Sequence, residues 1–308
     1  MLSGILNVDK PRGLTSHDVV DAIRTLTGLR AVGHTGTLDP DASGILLLCL
    51  GRATKFARFF EPLDKTYWAV LRLGICTDTQ DATGTITQQC AVPPLSLSHV
   101  EHVLQQFVGA GTQIPPMYSA VKYRGKRLYR LARHGQVVPR EARKIMIKRL
   151  ALLDMRGPWV TIAVTCSKGT YIRTLCEDIG RALRCGAHMA HLQRCAIGPF
   201  GVHEAYTLAW IRQHGAPADL TTTCIPLAQA FTFLPALSLT SQEYARVHTE
   251  RGRALPQILR THSLNNPEAS CYRLCTQADE TVAIMHRHPA APHTWKLQYI
   301  EHNVLQYA

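Results

Sequence analysis

Acidic residues are scarce in this chain: 22 Asp and Glu stand against 34 Lys and Arg, a formal net charge of +12. An excess of that size suits a polyanionic partner, because Lys and Arg that neutralise phosphates gain affinity by releasing counterions. It does not choose between RNA enzymes, ribosome-associated proteins and binders of anionic membranes. Long apolar runs are also missing. The longest, ILLLCL at 45–50, is far short of the roughly 20 residues needed to cross a bilayer. The opening MLSGILNVDKPRG lacks the basic start and apolar core of a signal peptide, so the expected compartment is cytoplasmic. Ten cysteines are present, but without a paired framework or export signal they read as small buried apolar residues. Cys271, Cys275, His286 and His288 miss the usual zinc-finger spacing and read better as strand residues followed by a polar loop, so no metal site is expected. No P-loop or dinucleotide fingerprint occurs, which points to chemistry without a cofactor.

A length of 308 residues fits two domains at roughly 100–200 residues each. Residues 4–9 read as a short strand, and Lys10-Pro11-Arg12-Gly13 as a turn. Thr15 or Ser16 can cap a helix from about His17, with Val19, Val20, Ile23 and Leu26 at helical spacing. Residues 33–44 read as a loop punctuated by Gly and Pro, and 45–50 as a buried strand or the start of a helix, which periodicity leaves open. Strands are predicted over 66–73 and 159–166, and helices over 98–108 and 171–184. Residues 114–144 form a long basic, aromatic-bearing segment with turn signals. A boundary falls near 229–236, followed by a helix over 241–249, strands over 281–285 and 295–300, and hence a small β-rich module.

Two stretches carry candidate chemistry. In GHTGTLDPDASG (33–44), Gly33, Gly36 and Gly44 permit tight turns and Pro40 stiffens the exit, so Asp39 sits on a constrained loop beside an apolar element. That arrangement holds a carboxylate in a fixed pose, although an Asp before Pro is more often a turn residue. Residues 122–134 carry Lys122, Arg124, Lys126, Arg127, Arg130 and Arg133, interleaved with Tyr123 and Tyr129. This is a phosphate-gripping arm or a solvated basic face.

The stretch around Asp39, continuing to Gly51-Arg52-Ala53-Thr54-Lys55, closely resembles the catalytic motif of the TruB family of pseudouridine synthases. NVDKPRGLTSHD (7–18) resembles the family's N-terminal motif, Lys65-Thr66-Tyr67 its tyrosine motif, and TDTQDATG (77–84) the Asp-bearing loop that follows. IPPMYSAVKYRGKRLYRLARHG (114–135) resembles its RNA-gripping insertion, while SKGTYIRTL (167–175) and HLQRCAIGPF (191–200) resemble the remaining core motifs. These matches run in family order over residues 5–201. Residues 234–252 resemble a PUA-type RNA-binding module more weakly. One departure stands at Gln193-Arg194, where the family often has two arginines; a changed peripheral contact is expected there, not lost catalysis.

The resemblance implies an α+β fold: a pseudouridine-synthase domain on a mixed sheet (1–232, with the insertion at about 114–144) and a PUA-like domain (233–308). It implies isomerisation of uridine 55 in the T-loop of tRNA, with no cofactor and no obligatory protein partner. Asp39 would act as nucleophile on either the sugar or the base, splitting one hard step into easier ones. Arg173 would be the ion-pair partner that keeps it charged. Tyr67 would stack on the target base and assist proton removal from carbon 5. Tyr171 and Leu192 would line the pocket, and Asp81 would contact the flipped nucleotide. His34 would wedge into the vacated T-loop space, and Lys122, Lys126 and Arg127 would grip phosphates. Two rivals are a guide-dependent synthase of the dyskerin type and a tRNA-binding folding factor whose catalysis is lost or secondary.

Overall fold

The computed structural model describes residues 2–214, 220, 222–250, 253–262, 269–288 and 291–300. Its centre is set by two almost wholly buried runs, β1 (Gly4–Lys10) and β3 (Ser43–Leu50). Segments buried on both faces sit inside a sheet covered on both sides. This resolves 45–50 as strand. Between them lie α1 (Ser16–Thr27) and the short β2 (Val32–His34). The loop predicted over 33–44 is therefore shorter at both ends, because β2 pairs with β3. Thr15 is the cap of α1: its hydroxyl accepts from the Asp18 amide while the Asp18 carboxylate takes the Thr15 amide.

After α2 (Ala57–Phe60) comes β4 (Lys65–Leu73), which alternates strictly. Lys65, Tyr67, Ala69, Leu71 and Leu73 point inward and Trp68 outward, the period of a half-covered strand. The hairpin β5 (Ile75–Thr77) and β6 (Ile86–Gln89) follows, then α3 (Leu97–Gln105) and β7 (Gly109–Gln113). The helix predicted over 98–108 stops at Gln105. Gln106 to Val108 turn back onto its last carbonyls, and Gly109 leaves the helical region with φ 109°.

Residues 114–144 contain β8 (Lys122–Tyr123), β9 (Lys126–Arg127) and α4 (Leu128–Arg133) before β10 (Arg143–Arg156) begins. Arg124 and Gly125 join the two short strands with φ 48° and 80°, the left-handed pair that a two-residue hairpin loop demands. Then come β11 (Trp159–Cys166), α5 (Ile172–Ala182), β12 (Ala187–Ile197), β13 (Phe200–Gly201), β14 (Tyr206–Thr207) and α6 (Leu208–His214).

The main sheet runs β14-β1-β3-β12-β4-β11-β10-β7, with β2 on β3 and β13 on β12. The pairs β1–β14 and β3–β12 are parallel, and the run from β12 to β7 is antiparallel. This is the mixed sheet expected. Helices α3 and α5 cover its antiparallel half through Val100, Val103, Leu175 and Ile179. A second, four-stranded sheet holds β15 (Ala236–Ser238), β16 (Cys271–Cys275), β17 (Thr281–His288) and β18 (Ala291–Tyr299). Its core includes residues of α7 (Ser241–Thr249) and α8 (Leu255–Thr261). The chain divides into two compact units: residues 7–48 with 55–215, and residues 1–6 and 49–54 with 216–308.

Candidate active site

The loop from Gly36 to Asp41 is held through every one of its carbonyls. Arg194 on β12 donates to Gly36 (3.1 Å) and Thr37 (3.2 Å). The Ser16 hydroxyl donates to the Leu38 carbonyl (3.0 Å) and accepts the Leu38 amide (2.8 Å). The Ala42 amide closes a turn on Asp39 (3.1 Å). The Lys10 ammonium donates to Pro40 (3.1 Å), as does the Gly13 amide (2.8 Å), and Arg12 reaches Asp41 (3.0 Å). Leu38 belongs to the same buried core cluster as Tyr67 and Leu192. Six consecutive anchored carbonyls leave the backbone under Asp39 little freedom, the condition for a preorganised nucleophile.

Asp39 itself stays open, its side chain 38 % exposed, whereas Arg173 behind it is only 7 % exposed. The guanidinium grips the carboxylate at two points, Nε to Oδ2 at 3.0 Å and Nη2 to Oδ1 at 3.4 Å. The same group donates to the carbonyls of Thr79 (3.3 Å) and Tyr118 (2.9 Å), and lies 3.5 Å from Asp81 Oδ2. The planar fork of arginine suits this simultaneous hold, which a point-charge ammonium cannot reproduce. Arg173 reaches the site because it lies on the buried face of α5, in the first turn.

Asp81 is brought to the same guanidinium, but its other oxygen accepts from the Thr79 hydroxyl (2.7 Å), the Thr83 amide (3.0 Å) and the Thr83 hydroxyl (2.6 Å). Its carboxylate thus organises the loop 77–84 around Arg173. Tyr67 is buried in the core cluster. Burial pushes its phenol up, while the Arg194 guanidinium pulls against that shift as a charge and as a hydrogen-bond donor. Tyr171 caps the approach to α5, its amide and carbonyl both taken by the Gln113 side chain (2.7 and 3.0 Å). Leu192 lies in the core cluster. His34 ends β2 half-buried, and burial pushes its imidazole down into the neutral form.

Lys122, Lys126 and Arg127 are exposed on the β8–β9 hairpin. Arg124 and Arg133 stack over Tyr123 and Tyr129, at 5.4 and 5.6 Å from the ring centroids. Such pairs present flat cationic surfaces suited to phosphates and bases. The segment meets the site through the Tyr118 carbonyl on Arg173. Cys271 pairs with His286 across β16 and β17, while the Cys275 sulfur takes a bond from Arg273 at 3.2 Å. The His288 side chain lies outside the described residues. No cluster of three or more potential metal ligands occurs among the described residues.

The roles of Lys10, Ser16, Thr79, Gln113, Tyr118 and Arg194 in holding the site escape sequence reasoning. Arg194 had one visible signal, a cation within a mostly apolar strand. It is 2 % exposed and donates to three carbonyls. Gln193 stands directly across from Trp68 in the β12–β4 register.

The description "TruB family pseudouridylate synthase (N terminal domain)" matches residues 24–172, and "tRNA pseudouridylate synthase B C-terminal domain" matches residues 173–227. The chain is 44 % identical over 257 residues to tRNA pseudouridine synthase B of Pseudomonas aeruginosa (strain UCBPP-PA14), covering 82 % of this chain and 84 % of that one. It is 40 % identical over 302 residues to the protein of the same name from Geobacillus thermodenitrificans (strain NG80-2), covering 96 % and 98 %. Among solved structures, a chain of the Cbf5–Nop10–Gar1 complex superposes with a TM-score of 0.67 at 26 % identity, over 92 % of this chain and 78 % of that one.

Proposed function

The chain belongs to the TruB family of pseudouridylate synthases, and from that premise we propose that it isomerises uridine 55 in the T-loop of tRNA to pseudouridine, with Asp39 as nucleophile. The observation that carries the reading is the carboxylate of Asp39: open on one side, gripped at two points by a buried guanidinium on the other. In the reaction the bond from sugar carbon 1 to base nitrogen 1 breaks, the base turns, and a bond from the same sugar carbon to base carbon 5 forms. The carbon 5 proton leaves and nitrogen 1 gains one, so the product is an isomer. An ionised Asp39 adds covalently to sugar or base and departs at the end, which divides the barrier.

The other residues take supporting parts. Tyr67 and Leu192 flank the flipped uracil, Tyr67 keeping its phenol proton in the resting site and assisting proton removal from carbon 5 once the base is bound. A neutral His34 fills the place the base leaves by stacking, offsetting part of the few kcal/mol that flipping costs. Asp81 and Tyr171 keep Arg173 aimed. Lys122, Lys126 and Arg127 hold T-arm phosphates, and the β-rich C-terminal region, taken as PUA-like from about residue 233, adds RNA contact. The enzyme works without cofactor or obligatory protein partner, in the cytoplasm.

The test incubates purified chain with bare tRNA transcript and maps pseudouridine by position. Conversion at position 55 alone is expected. Conversion only after guide RNA or protein partners are added would favour the dyskerin type, and binding without conversion would leave a folding factor.

A further inference from the structure

Arg194 is a buried cation with no acidic partner among the described residues. Burying a charge without a counter-ion is costly unless dipoles replace water. Here three carbonyls do so: Ile45 at 2.7 Å from Nε, Thr37 and Gly36 at 3.2 and 3.1 Å from the two terminal nitrogens. Two of the three lie in the loop that carries Asp39. The third lies in β3, which pairs in parallel with β12 at Gly44 and Arg194. That approach is so close that a Cβ on Gly44 would stand 2.2 Å from the Arg194 carbonyl, and Gly44 holds φ +102°. On the opposite strand, Arg194 sits directly across from Tyr67 in the β12–β4 register.

We propose that Arg194 is a positioning residue for the reaction: one guanidinium locks the loop bearing Asp39 to the strand bearing Tyr67. This rests on the reading above, in which both residues meet the target base. The charged and titratable groups around it come from four other elements: Lys10 on β1, His34 on β2, Lys65 and Tyr67 on β4, and Asp39 on the loop. Cys166 on β11 also faces Tyr67. Arg194, Lys10 and Lys65 are the cations of this set and Asp39 is the carboxylate on the loop it holds, so a fork held by carbonyl dipoles supplies geometry without neutralising Asp39.

Arg194→Lys is the first test, read by single-turnover conversion of a T-arm hairpin and by RNA affinity. Lysine keeps the charge but cannot span three carbonyls and a phenol. A misplacement of about 1 Å should slow conversion on the order of 100-fold while RNA affinity stays within about threefold of wild type. A rate within about threefold of wild type, or losses of rate and affinity in equal measure, overturns the proposal. A second measurement leaves Arg194 in place in case its replacement unfolds the chain. Tyr67→Phe removes only a hydroxyl, and the Arg194 side-chain nitrogen resonances should then shift; unshifted resonances also overturn it. This readout needs no activity, so a chain that makes no pseudouridine sinks the functional reading while leaving the Arg194–Tyr67 linkage separately tested.

Discussion

Replacing Arg173 by lysine keeps one positive charge and removes the fork. The guanidinium now serves four groups: Asp39 at two points, Asp81, and the carbonyls of Thr79 and Tyr118. An ammonium has three donors on one shorter point, so it can follow Asp39 or the two carbonyls but not all together. Each buried acceptor left without a partner costs about 1–3 kcal/mol, and two abandoned carbonyls set the expected destabilisation at about 2–6 kcal/mol. Removing the charge as well, in Arg173→Met, abandons the same carbonyls and also strands Asp81 in its half-buried loop, so this variant should be less stable than Arg173→Lys. Urea denaturation of both variants measures this order, with the slope unchanged if only stability moves. In single-turnover assays at saturating RNA, where unfolding is kept negligible, Arg173→Lys should lose on the order of 100-fold in rate because the carboxylate is no longer held at two points. Full activity in Arg173→Lys would refute the argument that two-point orientation of Asp39 matters. Equal stability of Arg173→Met and wild type would refute the ledger of buried acceptors.

Asp39→Asn should bind tRNA nearly as wild type but fail to convert it, since an amide is a very poor nucleophile; conversion within about tenfold of wild type would remove Asp39 from that role. Neutralising Lys122, Lys126 and Arg127 together should weaken tRNA binding and reduce the log–log salt slope by roughly 0.7–0.9 per lost phosphate contact, whereas an unchanged slope marks the hairpin as a solvated face. A pre-folded T-arm hairpin should be converted in excess chelator, and a metal requirement there would contradict the cofactor-free reading. Burial pushes the Lys10 and Lys65 amines down to about 8 from 10.5. The folded chain therefore releases these protons first. The penalty of burying the charges is complete below pH 8 and fades between pH 8 and 10.5. Measured by denaturation, the stability of wild type relative to Lys65→Met should thus rise with pH across that window, by up to about 1.4 kcal/mol per unit, and a flat difference would deny the depressed value.

What local pattern could determine, it did. Periodicity placed α1, β4 and α5 within a residue or two, because one face of each is apolar and the period of that face is the secondary structure. The spacing of Gly and Pro in 33–44 marked a constrained loop, since backbone freedom is written in residue type. The order of motifs carried the family, and with it the pairing of Asp39 with Arg173. Tertiary structure decided the rest. Whether 45–50 is strand or helix depended on neighbours that pair with it. The anchors of the Asp39 loop come from Lys10, Ser16 and Arg194, the last 158 residues from the carbonyl it holds. None of these contacts has a period or a local spacing. A lysine in a turn and an arginine in a strand look solvated in sequence, and only the surrounding chain removes the water and supplies carbonyls in its place.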